Sequence, residues 1–455
     1  MVYVRALHFA ATILAAGVVI FQFLVAEPAF RTASGDFRPS IETLRRRWTW
    51  MVWTGLAFAA VSAAVWVLLL AADIYGASVG EVWRDGGVWT IVTQTRFGQV
   101  WSLRFVLGVL LAALIAALMP APMNAGLMNA GPMNAAPMDA VRRGRLGGIA
   151  ILLAIGVLIG PAWTGHAGAT PGAVGQFALA SDAFHLLAAG AWVGGLLPLA
   201  MLLDCARRGK QPGWAALTSE AVRRFSLLGI ASVGLLLASG LVNSWYEVGS
   251  IGNLIETSYG LLVIAKLGLF AAMVAFVAVN RFYLTPRLAA AGAVRQLERN
   301  SVAEAALGFA AVVVVGFLGS MAPAIHLQLH PKYEAVPEGA AFVHIHSLQG
   351  MADVTIMPGR VGPASATVRL WDDDFDPLKA QALTFALTAP RAGSSPVTRA
   401  ATQDDSGAWI VDGIALSQGG NWTVTLDADF GAKGHLVLEA PIVIEDGTPP
   451  HRPNQ

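Results

Sequence analysis

The chain has 455 residues, of which 55% are hydrophobic and only 13% are charged. Soluble domains carry about a quarter charged residues, so this composition and a mean hydropathy of +0.59 exclude an ordinary soluble protein and indicate an integral membrane protein. The formal net charge of +1 gives no reason to expect a nucleic-acid partner. Because Cys205 is the single cysteine, an internal disulfide and a metal site built on several thiolates are excluded.

Eight stretches are apolar and long enough to cross about 30 Å of hydrocarbon, which takes about 20 helical residues. They cover roughly residues 3–29, 49–72, 98–119, 146–165, 176–203, 224–246, 257–284 and 302–323. The first has only Arg5 ahead of a long apolar run, which is atypical of a cleaved signal peptide, so we expect it to remain as a span. The sequence predicts a polytopic α-helical membrane bundle over residues 1–323.

Lysine and arginine residues gather in alternate loops. They are abundant after spans 1, 3, 5 and 7, whereas the loops after spans 4 and 6 contain none. Basic residues near span ends are retained in the cytoplasm. We therefore predict that both chain termini are extracytoplasmic.

After residue 323 the apolar runs shorten to strand length, and Gly, Pro, Asp and Ser interrupt them about every ten residues. Seven segments, from AFVHIHS to HLVLEAPIVI, alternate or run apolar at this length. Their spacing predicts an all-β immunoglobulin-like sandwich over residues 324–455, forming a separate extracytoplasmic domain.

A five-residue repeat between spans 3 and 4 spaces four methionines evenly: Met123, Met128, Met133 and Met138. Thioether sulfurs are soft ligands that select Cu(I). Repetitive sequence of this kind is also typical of a disordered cytoplasmic linker, which is the interpretation we favour.

Ionisable residues inside spans are energetically costly and therefore mark functional sites. Five of them fall at one depth near the predicted outer surface: His8, Arg104, Asp182, His185 and Lys266. His166 and Asn243 fall at the same level. Asp182 and His185 are three residues apart and share a helix face, where a carboxylate can orient an imidazole and strengthen it as a ligand. A buried histidine that only satisfies a structural hydrogen bond is the alternative.

Three polar residues lie near the predicted cytoplasmic ends of spans 1, 7 and 8: Glu27, Asn280 and Glu304. They would suit an exit path for an ion. The alternative is that they cap helix ends or pair with Arg281 or Arg287, and this is the interpretation we favour.

In the predicted β-domain, His344 and His346 alternate on one strand, so they share a sheet face at a spacing that suits a metal. Other candidate ligands are near in sequence: His326, His330, Met351 and Met357. A His-x-His pair on an exposed strand is also often just a polar surface. His435 lies on the last predicted strand without an evident partner.

Several of these segments resemble the copper resistance D family. The resemblance rests on FHLLAAGAWVGGLLPLA from Phe184, YGLLVIAKLGLFAAMVAFVAVNRF from Tyr259, the span that begins SVAEAALG at Ser301, and FGQVWSLRF at span 3. The tail, with FVHIHSLQGMADVTIMPGRVGPA, resembles the β-domain that is fused to such proteins in some bacteria. Together these segments extend the resemblance over nearly the whole chain.

The resemblance implies a protein of the bacterial inner membrane that takes up copper and contributes to copper homeostasis and resistance. It also implies a partner, a periplasmic copper carrier of the copper resistance C type, and intramembrane histidines that match His8 and His185. The sequence shows no copper-carrier domain ahead of the first span, so we expect copper to arrive from a separate protein or from the tail.

The sequence therefore predicts a copper transporter or metal-handling membrane protein rather than an enzyme, with five metal ligands: His8, Asp182, His185, His344 and His346. Arg104 and Lys266 count against this, because fixed cations disfavour a bound copper ion. The alternative is a membrane haem- or quinone-binding redox protein with His8 and His185 as axial ligands. The two cations would then face propionates or a quinone oxygen. No phosphate loop or paired catalytic carboxylates are evident.

Overall fold

The computed structural model divides the chain into two compact units, Met1–Leu327 and Gln328–Gln455. The structure describes residues 1–32, 37–75, 77–118, 140–164, 172–209, 213–321, 324, 336–347, 350–372, 377–389, 396–431 and 434–446. Seven residues that the sequence analysis named lie outside these ranges: Met123, Met128, Met133, Met138, His166, His326 and His330.

Eight helices of the first unit, counted over the described residues, are long and apolar enough to cross a membrane. They are α1 (Val2–Ile20), α2 (Arg38–Tyr75), α3 (Arg96–Leu118), α4 (Ala140–Ile159), α5 (Gly172–Arg208), α6 (Trp214–Glu247), α7 (Ser258–Ala278) and α8 (Ala291–Leu318). Each corresponds to one predicted span, so the predicted eight-helix bundle is confirmed.

Three of these helices continue beyond their α-helical parts. α1 is followed by a π-helix (Phe21–Ala26) and a short helix (Glu27–Thr32), and α4 by a 3-10 helix (Gly160–Thr164). α7 is followed by a π-helix (Val279–Leu284) and a 3-10 turn (Thr285–Arg287). Short helices lie between the spans at Val79–Arg84, Gly87–Gln94 and Ile251–Glu256. π-Helical segments are rare and often lie at functional sites, and the second one includes Asn280.

The centre of the bundle is formed by α1 and α5, the two most deeply buried spans. Their backbones touch: a Cβ atom at Gly17 would lie 2.4 Å from the carbonyl oxygen of Gly190 and 2.4 Å from Cα of Gly194. A side chain cannot fit there, so glycine permits this crossing, as small residues do between other membrane helices. α1 also packs against α2, α4 and α8.

The second unit contains nine strands among its described residues. They are β1 (Ala341–Ser347), β2 (Gly350–Met357), β3 (Gly362–Trp371), β4 (Ala382–Thr388), β5 (Val397–Ala400), β6 (Thr402–Gln403), β7 (Trp409–Leu416), β8 (Gly420–Asp429) and β9 (His435–Ile444). Antiparallel pairing produces two sheets, with the orders β1-β2-β3-β7-β6 and β5-β4-β8-β9. Apolar residues of both sheets share one core, in which Val354, Phe385 and Trp422 are almost fully buried.

The predicted β-sandwich is therefore confirmed, and its seven predicted segments correspond to β1–β4 and β7–β9. The sequence analysis missed β5 and β6. These strands are only four and two residues long and are largely exposed, so they show no alternation of apolar and polar residues.

Candidate functional site

His8 is buried in the bundle, and its hydrogen bonds define which ring nitrogen carries the proton. Nδ1 lies 3.1 Å from the Ala59 carbonyl oxygen and 3.1 Å from Ser62 Oγ, both on α2. A carbonyl can only accept, and Ser62 donates its hydroxyl proton to the Phe58 carbonyl at 2.6 Å. Nδ1 of His8 is therefore the donor, and the lone pair of the neutral ring is on Nε2.

Arg104 on α3 occupies that lone pair. Its Nη2 donates to His8 Nε2 at 2.9 Å, and its Nε donates to the Val157 carbonyl on α4 at 3.1 Å. The Trp101 ring lies beside both groups, with its centroid 4.7 Å from the guanidinium carbon and 4.7 Å from the His8 ring centroid. His8 can therefore bind a metal only after Arg104 releases Nε2.

His185 on α5 has the opposite property, a free lone pair. Its Nδ1 lies 2.9 Å from Ser239 Oγ on α6. Ser239 donates its own proton to the Leu235 carbonyl at 2.6 Å, so it accepts from His185 Nδ1. The lone pair of His185 is consequently on Nε2, which has no hydrogen-bond partner among the described residues.

Asp182 lies one helical turn before His185 but is held by a different residue. Asn243 Nδ2 on α6 donates to Asp182 Oδ1 at 3.1 Å, and Ser181 Oγ donates to Asn243 Oδ1 at 2.8 Å. The sequence analysis expected the carboxylate to orient His185. The structure differs because α6 presents Ser239 and Asn243 one turn apart, so each side chain of α5 finds its own partner there.

His8 and His185 lie on the two central helices but have different neighbours. His8 is nine residues before Gly17, and His185 is nine residues before Gly194, the glycines at which α1 and α5 touch. Successive spans cross the membrane in opposite directions, so α1 and α5, the first and fifth spans, run in the same direction. The two histidines are therefore at a similar depth. His8 bonds to residues of α2 and α3, whereas His185 bonds to α6. Shared ligation of one ion by both histidines stays a prediction.

Two further charged residues are close to the pair on α5. Lys266 on α7 lies within electrostatic range of both Asp182 and His185, and Glu247 lies within range of Asp182. The described residues contain no group of three or more His, Cys, Asp or Glu side chains that is placed to hold a metal ion. The arrangement therefore offers an imidazole and a carboxylate, which suits transient more than permanent binding of an ion.

A second buried polar cluster lies at the opposite end of the bundle. Glu304 on α8 is 1% exposed and accepts a hydrogen bond from Asn280 Nδ2. Asn280 Oδ1 accepts in turn from Asn300 Nδ2 at 2.6 Å. Glu304 and Asn280 line a cavity of about 40 Å³ together with Ser226 and other residues of α5, α6 and α8.

The predicted arginine partners of this cluster bond elsewhere. Arg281 donates to Ser226 Oγ and Arg287 donates to the Tyr283 carbonyl, each at 2.7–2.8 Å. Glu27 does pair with an arginine, but with Arg45 at 2.6 Å. Glu304 therefore has no ion-pair partner among the described residues. Pairing with an arginine does not explain why its carboxyl group is buried here.

In the β-sandwich, His344 on β1 pairs directly across from Asp353 on β2, with Nδ1 2.7 Å from Oδ1. Asp353 is buried and His344 is exposed, at the edge of its sheet. The side chain of His346 lies outside the described residues. His435 also has a partner that sequence reasoning missed, because Asp427 Oδ1 lies 2.9 Å from its Nδ1 and raises the pKa of His435.

The partners that sequence reasoning missed are mostly uncharged: Ser62, Trp101, Ser181 and Ser239. Serine and tryptophan are unremarkable in a membrane helix, so composition gives no signal for them. Asp353 and Asp427 were detectable in principle, since each is on a strand that pairs with a histidine-bearing strand.

Eight membrane-spanning helices have imidazole and carboxyl groups near one end and buried carboxyl groups near the other, and a β-sandwich follows them. These features define a multi-pass membrane protein that handles an ion or a polar solute. Residues 1–176 match the sequence family described as "Copper resistance protein D-like, N-terminal domain", and residues 219–318 match "Copper resistance protein D". The chain belongs to the copper resistance D family, which confirms the resemblance noted from sequence.

Three relatives support this assignment. The chain is 26% identical over 369 residues to "Copper transport protein CutJ" of Bacillus subtilis (strain 168), which covers 78% of the chain and 60% of that relative. It is 29% identical over 246 residues to "Copper resistance protein D" of Pseudomonas syringae pv. tomato, which covers 51% of the chain and 71% of that relative. It is 30% identical over 275 residues to "Inner membrane protein YebZ" of Escherichia coli (strain K12), which covers 57% of the chain and 83% of that relative.

The chain thus spans about three fifths of the length of CutJ. No solved structure matches it. Together with the eight spans, these relatives identify a copper-related, multi-pass protein of the inner membrane.

Proposed function

We propose that this protein transports copper ions across the bacterial inner membrane, in the direction of uptake, and so contributes to copper homeostasis and resistance. The observation that carries the proposal is the unpaired Nε2 of His185, one helical turn from the carboxylate of Asp182. Copper accepts imidazole ligands readily. Ser239 holds the other ring nitrogen, and such an outer partner orients the ring and makes Nε2 a better ligand.

Electrostatics favour the α5 pair over His8 as the first binding position. Asp182 offsets the charge of an arriving cation and that of Lys266, which also lies within electrostatic range of His185, whereas Nε2 of His8 is covered by the guanidinium of Arg104. His8 joins as a second imidazole when Arg104 releases Nε2. The haem alternative would require the same release, because the lone pair of His8 Nε2 accepts from Arg104.

Glu304 is a suitable release position at the other end of the bundle. Its buried carboxyl group has no cation partner among the described residues and lines a small cavity beside the π-helix after α7. A passing cation would find there a carboxyl oxygen and the side-chain oxygen of Ser301, while the guanidinium of Arg281, which lines the same cavity and binds Ser226, would have to move aside. Oxygen ligands bind copper more weakly than imidazole does, which favours release over retention.

We further propose that both termini are extracytoplasmic and that a periplasmic copper carrier of the copper resistance C type delivers copper to the β-sandwich. The alternating basic loops support the orientation. His344, oriented by Asp353 at a sheet edge, and His346 would accept the ion. Reporter fusions after Arg145 and after Gln455 should lie on opposite sides of the membrane, and finding both on one side would contradict this orientation.

Uptake of radioactive copper into proteoliposomes tests the proposal. His185→Ala should abolish uptake and Asp182→Asn should slow it, because each removes one of the two ligands. His435→Ala, a histidine outside the bundle, is the matched control and should leave uptake unchanged. Wild-type uptake by His185→Ala protein that is inserted and folded would refute the proposed entry site.

A further inference from the structure

A cleft of about 260 Å³ lies between α2 and α3, with α1 at its floor. Most of its lining is small or apolar: Ala57, Ala60, Ala63, Phe105, Gly108, Val109 and Ala112. Trp53, Phe105 and Val109 are also exposed on the outside of the bundle, where lipid surrounds the helices. The cleft is therefore an apolar channel that is accessible from the hydrocarbon of the bilayer.

Three residues that line the cleft have a buried polar atom without a partner among the described residues: Nη1 of Arg104, the hydroxyl of Thr12 and the indole Nε1 of Trp101. Arg104 is only 5% exposed, and its Nη1 makes no hydrogen bond with any described residue. Thr12 is 2% exposed, and its hydroxyl is likewise unbonded. Both residues line the cleft, but the two unpaired atoms are themselves buried, so a bound group would reach them only after a rotation of the side chains. Buried donors of this kind are expensive to leave unsatisfied, so they call for an acceptor that the described chain does not supply.

The acceptor should be negatively charged. The described residues place no carboxylate within ion-pair distance of Arg104, whose other contacts are a neutral imidazole, a carbonyl oxygen and the ring of Trp101. A buried guanidinium without a counter-charge is strongly destabilising in a membrane. A carboxylate or phosphate oxygen would neutralise it and would accept from Nη1, since arginine binds both groups in a forked geometry.

The size of the cleft limits what can bind. Sites that enclose a whole drug-sized ligand usually begin at about 300 Å³, so this cleft would hold a headgroup and the start of one chain. The rest of the chain would lie along the lipid-exposed faces of α2 and α3. The geometry points to a site for an acidic membrane amphiphile, whose anionic head bonds to Arg104 and Thr12 and whose acyl chain fills the cleft. This inference does not depend on copper transport.

Native mass spectrometry of the full chain in detergent, without copper, tests the site. Purified protein is mixed with phosphatidylglycerol, phosphatidylethanolamine, oleate or ubiquinone, and the bound fraction of each is measured. Phosphatidylglycerol or oleate should bind about tenfold more tightly than phosphatidylethanolamine, because one charged hydrogen bond changes a binding affinity by about that factor. Comparing the two acids identifies whether a phosphate or a carboxylate head is preferred.

Two leucine substitutions provide a test that leaves the arginine in place. A Cβ atom at Gly108 would meet nothing within 4 Å, and Gly108 lines the cleft, so Gly108→Leu should occupy part of the cleft and weaken binding about tenfold. Gly268→Leu on α7 is the control, because its Cβ also meets nothing within 4 Å and it does not line the cleft. Arg104→Gln should remove the preference for acids.

Three outcomes would overturn the inference. They are equal binding of acidic and zwitterionic lipid, preferential binding of ubiquinone, and wild-type binding of the acids by the Gly108→Leu protein. Loss of binding in Gly108→Leu together with retention in Gly268→Leu would support it.

Discussion

Arg104 donates a hydrogen bond to Nε2 of His8 across 2.9 Å in the interior of the bundle. The bond joins α1 to α3 and holds the positively charged guanidinium of Arg104 against the ring nitrogen that would otherwise be the metal ligand. The two histidines of the central helices are therefore not equivalent: His185 is ready to bind a cation, and His8 is blocked until its neighbour moves.

This relationship predicts that Arg104→Met increases copper binding. The substitution removes the positive charge and frees Nε2 of His8, so the affinity of purified protein for Cu(I) should rise about tenfold. Equilibrium competition with a chromogenic chelator measures the affinity. The double variant Arg104→Met/His8→Ala is the control and should lose the gain. An equal gain in the double variant would show that charge alone, and not ligation by His8, is responsible.

Glu304→Gln should slow transport without weakening copper binding at His185. Glutamine keeps the oxygen that accepts from Asn280 but removes the carboxylate, so the fold is preserved while the release position loses its charge. Copper uptake and copper affinity are measured on the same preparation. Glu298→Gln on the same helix is the control, because its exposed ion pair with Arg207 contributes little. Equal uptake rates in the two variants would contradict a role for Glu304.

Gly17→Ala should destabilise the bundle by about 1–3 kcal/mol, which is the usual cost of overpacking. The added methyl group would meet the backbone of Gly190 and Gly194, which cannot rotate away as a side chain can. Thermal unfolding in detergent measures the change. Gly234→Ala on α6 is the control, since its Cβ meets nothing within 4 Å. That variant should be neutral or slightly more stable, because alanine favours helix.

Replacing His344 and His346 with glutamine should lower the copper affinity of the β-sandwich about tenfold. Glutamine can still donate to the buried carboxylate of Asp353, so the sheet should remain folded. The second unit has its own core, and the fragment Gln328–Gln455 is expected to fold alone. Copper titration and circular dichroism of this fragment check both points. An unchanged copper titration would show that His344 and His346 do not bind copper and are only polar residues of the surface.

The pair His435–Asp427 predicts a pH dependence for the same fragment. The carboxylate raises the pKa of the folded histidine, so the pair stabilises the fold below the unfolded pKa of about 6.5. This contribution disappears as the pH rises through the folded pKa. Asp427→Asn should therefore lower the melting temperature in mildly acidic buffer and leave it unchanged in alkaline buffer. A constant difference across the range would exclude the charged pair as its cause.

The sequence predicted the helices well because burial in a bilayer leaves a compositional signal about 20 residues long, as in α7. Seven of the nine strands were equally evident from alternation, whereas Thr402–Gln403 is too short to show any. At the candidate site, the depth of His8 and His185 followed from counting residues along each span. Their partners did not follow, because Ser62 and Ser239 become neighbours only through the angles at which the helices pack.

The glycine crossing between α1 and α5 has a consequence for motion. Alternating access requires some helices to stay fixed while others rock against them. If the proposed transport uses alternating access, we expect α1 and α5 to move together and to carry both histidines, because no side chain separates their backbones at Gly17, Gly190 and Gly194. α3 is joined to this pair through the bond from Arg104 to His8, so we expect movement of α3 to be the step that frees the ring nitrogen of His8.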